Sequence, residues 1–202
     1  FNASTNTNAN FLTVAGQPLS SIFMLNGELG IGFPSVNGWG LNRVNFLSDS
    51  QGWYWTSANI QKQVKNSIAE RNLQNGYYNS NSGISGLANA RVNDIAMTVL
   101  PNAPVDDATG LPVPTIFVGT EGGLSIFKDD GTVIDGTSAS GSIYSYVKVL
   151  TITEEKYLWF LADYFNGYNN LRDSFALSLD TLPSGDFTWN NFTDNLSTGR
   201  FY

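Results

Sequence analysis

The side chains best placed to do chemistry in this chain are carboxylates near strand ends and turns: Asp49, Asp94, Glu121 and Asp163. Two carboxyl groups about 5–10 Å apart across a cleft perform the acid/base chemistry of glycoside hydrolysis. A lone carboxylate at a strand end is the ordinary condition of a β protein, so the expectation is a non-catalytic chain. Asp106-Asp107 and Asp129-Asp130-Gly131 carry oxygens of the kind that hold calcium. The second reads more simply as a hairpin turn with Gly at the position that needs positive φ. The first has no third carboxylate nearby. No metal and no cofactor is therefore expected. The chain has no His and no Cys. That excludes a Ser-His-Asp triad, a thiolate nucleophile, a disulfide framework and ordinary zinc or iron–sulfur ligation.

Aromatic residues in polar loops give the stronger binding signal. Trp39 lies in a Gly-rich stretch, Tyr77 and Tyr78 in an Asn-rich one, and Tyr164 and Tyr168 flank another. Flat apolar rings beside adaptable amides suit a carbohydrate or a protein surface. The competing reading is that each ring tucks beneath its own loop.

These groups must be held by a scaffold, and composition says which kind. The chain has 202 residues, a net charge of −7 and a pI near 4.3. The length allows one large or two small domains with a substantial core. The acidity argues against a nucleic-acid partner, which needs a basic face. No apolar run is long enough to cross a bilayer as a helix. Charged residues are 13%, about half the usual ~25%. The polar surface comes instead from 23 Asn, 20 Ser, 16 Thr and 20 Gly, residues that favour turns over helix interiors. Five Trp, nine Tyr and thirteen Phe favour pleated, half-buried surfaces. The expectation is an all-β chain. Its start lacks a signal pattern and an initiator Met, which suggests a processed chain or part of a longer one.

Along the chain, residues 11–14 and 22–25 read as short strands about a Gly16-Gln17-Pro18 turn. Residues 27–40 read as a long Gly-rich loop lying over another element. Residues 44–47 and 53–56 form a hairpin around Ser48-Asp49-Ser50-Gln51-Gly52. Residues 58–82 read as a helix/loop insertion: Ile60, Val64 and Ile68 recur at helical spacing over 58–73, with Ser57 as cap. This is the only helix expected. Residues 92–100 are a strand, and 101–114, with four prolines, a surface loop. Strands follow over 115–120, 124–127 and 132–134 in meander order. The pattern recurs over 146–153, 157–162 and 174–179, and Phe187 to Trp189 begins a further element.

Setting these segments side by side exposes a weak repeat. Val44-Asn45-Phe46-Leu47 with Trp53-Tyr54-Trp55-Thr56 aligns with Val92 to Ala96 and Ile116 to Thr120, and then with Val147 to Leu150 and Leu158 to Leu161. Trp55, Val118 and Phe160 fall in register. A period of about 40–50 residues with four strands each is the mark of a β-propeller blade, a sheet that must stack on its neighbours to bury both faces. Gly86-Leu87, Val92 to Ala96 and the Thr115-Ile116-Phe117-Val118-Gly119-Thr120-Glu121-Gly122-Gly123-Leu124 run resemble a blade of the two-component-regulator propeller repeat. Phe117 stands where that repeat usually has Trp. The resemblance spans roughly half of the chain and implies three to four blades of four antiparallel strands. The 1–202 chain would then be a single propeller domain or part of a larger one.

Fold alone does not fix activity. The reading that composition and repeat favour is a non-catalytic structural or binding module of an extracellular assembly, such as a phage virion (tail or fibre) or a surface layer. Its partners would be protein subunits of that assembly and surface glycan, with no nucleic acid and no membrane insertion. The alternatives are a glycan-binding adhesin using Trp39, Tyr77, Tyr78, Tyr164 and Tyr168, and a propeller-type glycan-cleaving enzyme.

Overall fold

Among the described residues fourteen strands form three sheets, thirteen of them in antiparallel meanders, and each meander starts beside the start of the next. The computed structural model describes residues 18–34, 40–47, 50–56, 60–63, 79–80, 86–107, 109–137, 145–165 and 170–189. The first sheet runs in chain order through β1 (Ser21–Leu25), β2 (Glu28–Gly32), β3 (Leu41–Asn45), β4 (Ser50–Tyr54), β5 (Ile60–Gln63) and β6 (Asn79–Ser80). The second is β7 (Val92–Thr98), β8 (Thr115–Thr120), β9 (Gly123–Phe127) and β10 (Val133–Thr137). To its outer edge the chain later adds β14 (Phe187–Thr188), parallel to β10. The third is β11 (Ser145–Ile152), β12 (Tyr157–Phe165) and β13 (Asn170–Ser178).

The central sheet is covered on both faces, which explains its sequence. All six residues of β8 and all five of β9 are buried, the near-continuous apolar pattern of a strand with no wet face. Period-two alternation then divides the side chains. Ile95, Met97, Ile116, Val118 and Phe127 join Leu41 and Tyr54 of the first sheet in one layer. Ala96, Phe117, Leu124, Ile126 and Ile134 join Val147, Leu158, Phe160 and Phe175 of the third sheet in another. Tyr54 meets Phe127 edge-on at 4.9 Å, and Phe160 stacks on Phe175 at 5.3 Å, both favoured ring geometries.

The sheets are stitched at their first strands. The Ser21 hydroxyl and the Ile95 N–H both donate to Asp94 Oδ1, each at 2.9 Å, and the Leu150 N–H donates to Oδ2 at 2.9 Å. One carboxylate of β7 thus ties β1 to β11. The register of β7 slips between Val92 and Asp94, and that of β11 between Val147 and Val149. Such bulges free backbone groups from the ladder and re-aim them. The Asn93 side-chain amide donates to the Val147 carbonyl at 2.9 Å beside them.

The all-β expectation holds, and several details are corrected. The sheets have six, five and three strands among the described residues rather than four each. The Gly-rich stretch 27–40 contains β2 rather than being a loop throughout. Its glycines belong in a strand because the next sheet closes on them: a Cβ at Gly32 would lie 2.5 Å from Val92 Cγ1, and one at Gly30 3.0 Å from Met97 Cε. The helix expected within 58–82 is replaced at Ile60–Gln63 by β5, which pairs with β4. The open edge of β4 offers a ladder that outweighs a three-residue apolar spacing. Apart from β5 and β6, that insertion lies outside the described residues, as do residues 11–14. The 101–114 loop is pinned by a Val105–Pro112 bridge and by the Asn26 amide on the Pro112 carbonyl at 2.8 Å. The repeat register also shifts. The residues aligned around Trp55 belong to the third and fourth strands of their sheet, whereas Val118 and Phe160 lie on second strands. The structural counterparts of β7 and β11 are β1, not β3.

Asp94→Ala removes acceptors from three donors and is expected to cost about 3 kcal/mol in denaturant unfolding. Asp94→Asn costs a similar amount, because the fixed Ile95 and Leu150 N–H groups approach different oxygens and an amide can accept only one of them. Gly32→Ala pushes against the fully buried Val92 and is expected to cost about 1–3 kcal/mol, measured the same way.

Candidate functional site

Of the carboxylates singled out from sequence, Asp94, Glu121 and Asp163 are held in structural bonds. Asp94 is the knot between first strands. Glu121 pairs with Arg91 at 2.6 Å and Asp163 with Lys148 at 2.8 Å. Asp49 lies outside the described residues. Asp130 Oδ1 accepts the Thr132 N–H at 2.8 Å and the Thr132 hydroxyl at 2.6 Å, closing the β9–β10 turn with Gly131 at φ 87°. These bonds, with the turn's own backbone, hold the Asp130 carboxyl below its usual range. Asp106 closes its loop by accepting the Thr109 N–H and hydroxyl. Among the described residues no three metal-binding side chains cluster. Trp39, Tyr77, Tyr78 and Tyr168 lie outside the described residues. Tyr164 is placed through its backbone alone, opposite Ser145 and Leu171 in the third sheet.

Among the described residues the most deeply buried ion pair is also structural. Glu28, 1% exposed, receives Arg43 Nε at 2.9 Å and Nη2 at 2.8 Å, and the Asn45 amide at 2.5 Å. Burial opposes the Arg43 charge, but Glu28 more than compensates and the guanidinium is held above its usual range. The forked geometry satisfies the carboxylate on both oxygens.

A cleft of about 460 Å³ opens elsewhere, lined among the described residues by Thr56, Leu87, Ala88, Asp135, Thr137, Asp186, Phe187 and Thr188. Three pieces of chain meet there. A parallel bridge joins Thr56 to Leu87, where the first sheet hands over to the second. β10 supplies Asp135 and Thr137 from one face. β14 supplies Phe187 and Thr188, brought alongside by pairing with Gly136 and Thr137. Gly136 is required here, since a Cβ would lie 2.3 Å from the Phe187 ring.

Two carboxylates share this cleft. The Ala88 N–H donates to Ser125 Oγ at 2.9 Å, and the Ser125 hydroxyl donates to Asp135 Oδ1 at 2.6 Å. Asp186 Oδ1 accepts the Asp135 N–H at 2.8 Å. Burial, reinforced by the Asp186 charge, pushes the Asp135 carboxyl above the usual carboxylate range despite the Ser125 bond. No Lys or Arg is among the described lining residues. Elsewhere the chain sets Glu28, Glu121, Asp163 and Asp180 each against a cation.

Sequence reasoning passed over this cleft because Asp186 and Asp135 are distant in sequence and each sits beside a turn or glycine. One signal was readable. Asp135 interrupts the Val133-Ile134-Asp135-Gly136-Thr137 strand, where Asp is disfavoured without a specific partner.

No protein-family model matches the chain, and no curated protein or solved structure was found to be similar to it. What the cleft does must be read from its own chemistry.

The Asp135 pKa is raised on folding, so the native state binds the extra proton. The associated penalty is present above the folded pKa and disappears as pH falls through it. Carboxyl carbon NMR is expected to show Asp135 titrating above the ordinary Asp value of about 3.9, with Asp186→Asn moving that midpoint down. The stability difference between Asp135→Asn and the native chain is expected to change over the same pH interval.

Proposed function

We propose that this chain is a non-catalytic β-propeller module, structural and binding, of an extracellular assembly such as a phage virion (tail or fibre) or a surface layer. The observation that supports this reading is the way the three sheets meet at their first strands. β7 lies against β1 on one side and β11 on the other, and each sheet's face covers its neighbour's. Propeller blades solve the same burial problem in that way.

The edge strand of the first sheet also presents apolar side chains. Ile22 and Met24 on β1 are each 57% exposed, with Phe23 between them at 37%. Three successive exposed apolar residues on a sheet's terminal strand suit burial by another subunit. The subunits of the assembly, further copies included, are the proposed partners. Low charge and the lack of His and Cys suit contacts that ignore pH and redox state. Among the described residues no helix is long and apolar enough to cross a membrane.

Light scattering coupled to size exclusion, with negative-stain imaging, tests the assembly. The expected result is a concentration-dependent particle of defined stoichiometry that Ile22→Lys with Met24→Lys reduces to single chains without loss of the β spectrum. A monomer persisting at high concentration would sink this reading.

A further inference from the structure

We propose that the cleft between the Thr56–Leu87 bridge and the β10–β14 pair binds a neutral, hydroxyl-rich ligand of the saccharide class. This does not depend on the assembly proposed above. The volume, about 460 Å³, falls within the about 300–1,000 Å³ of small-molecule sites. The lining then narrows the chemistry. Two carboxylates with no cation among the described lining residues repel phosphates, sulfates and carboxylates. Three threonines and two aspartates among eight described lining residues make the surface too polar for a purely apolar ligand. A hard metal ion wants six to eight oxygens at short range, and no third acidic ligand stands nearby among the described residues.

What remains matches a sugar ring. Asp186 uses Oδ1 on the Asp135 N–H, which leaves Oδ2 to accept a ligand hydroxyl. Asp135 is held by the Ser125 hydroxyl, so its carboxyl is oriented before a ligand arrives, which lowers the ordering cost of binding. Thr56, Thr137 and Thr188 offer hydroxyls that both donate and accept, the pairing that a polyol needs. Phe187, half-buried in the same wall, provides apolar surface of the kind on which the C–H face of a sugar rests. Burial and the neighbouring Asp186 charge resist full ionisation of Asp135.

The test is amide-resolved NMR titration of the full chain with millimolar maltotriose, chitotriose, mannotriose and galactotriose, and separately with N-acetyl-argininamide and inorganic phosphate. The expected result is saturable shifts of the 135–137 and 186–188 amides with at least one trisaccharide. Asp186→Asn and Thr188→Val, both at exposed positions, should each weaken that binding by about tenfold while the remaining amide spectrum is preserved. Thr137→Val gives a third reading should either variant fail to fold. The proposal is overturned by an absence of saturable shifts with all four trisaccharides, by shifts confined to amides outside the cleft, by binding that the variants leave unchanged, or by saturation with argininamide or phosphate alone.

Discussion

One carboxylate bonds to strands of all three sheets. Asp94 accepts from a β1 hydroxyl, from the next N–H of its own strand and from an N–H of β11. Apolar layers bring the sheets together, but burial is non-directional and would tolerate sliding. The charged hydrogen bonds fix which residues of the first strands lie abreast. The bulges at 92–94 and 147–149 supply the freed geometry that lets Asp94 reach both sides. The close approach of glycines follows from the same constraint: once the strands are drawn together, Gly32 and Gly119 are where Val92 and Val147 must fit.

The 460 Å³ space opens at β10 and β14, the opposite edge of the second sheet from β7, which carries Asp94. Asp135 stands there on the half-exposed face of its strand, while Ile134 on the opposite face is buried in the core. The same two-residue period serves packing on one side and chemistry on the other.

Much of the strand content was legible because the central and third sheets obey simple rules. β8 and β9 are short apolar runs bounded by Thr, Gly and Asp, and the Asp130-Gly131 turn has the chemistry its geometry needs. β2 was hidden because Gly30 and Gly32 read as loop residues, and their purpose is visible only from the side chains of another sheet. β5 was hidden because Ile60, Val64 and Ile68 share a helical spacing that carries no information about a waiting strand edge. The candidate site was the least legible part. Asp135 and Asp186 meet only through a parallel pairing that no local pattern announces. The loop aromatics, conspicuous in sequence, lie outside the described residues save for the backbone of Tyr164.

β14 reaches the second sheet only after the chain has built the third, and the bond from Asp135 to Asp186 closes a span of 51 positions. Among the described strands the middle sheet is therefore the last to gain a member, although its first four strands are consecutive. During synthesis its outer rim stays open until the following sheet has emerged, and the returning strand then acts as a clasp around both. Non-local closure of this kind is slow because a long loop must be ordered before the contact rewards it. The two carboxylates come together only when that clasp closes, so the pocket they line depends on it.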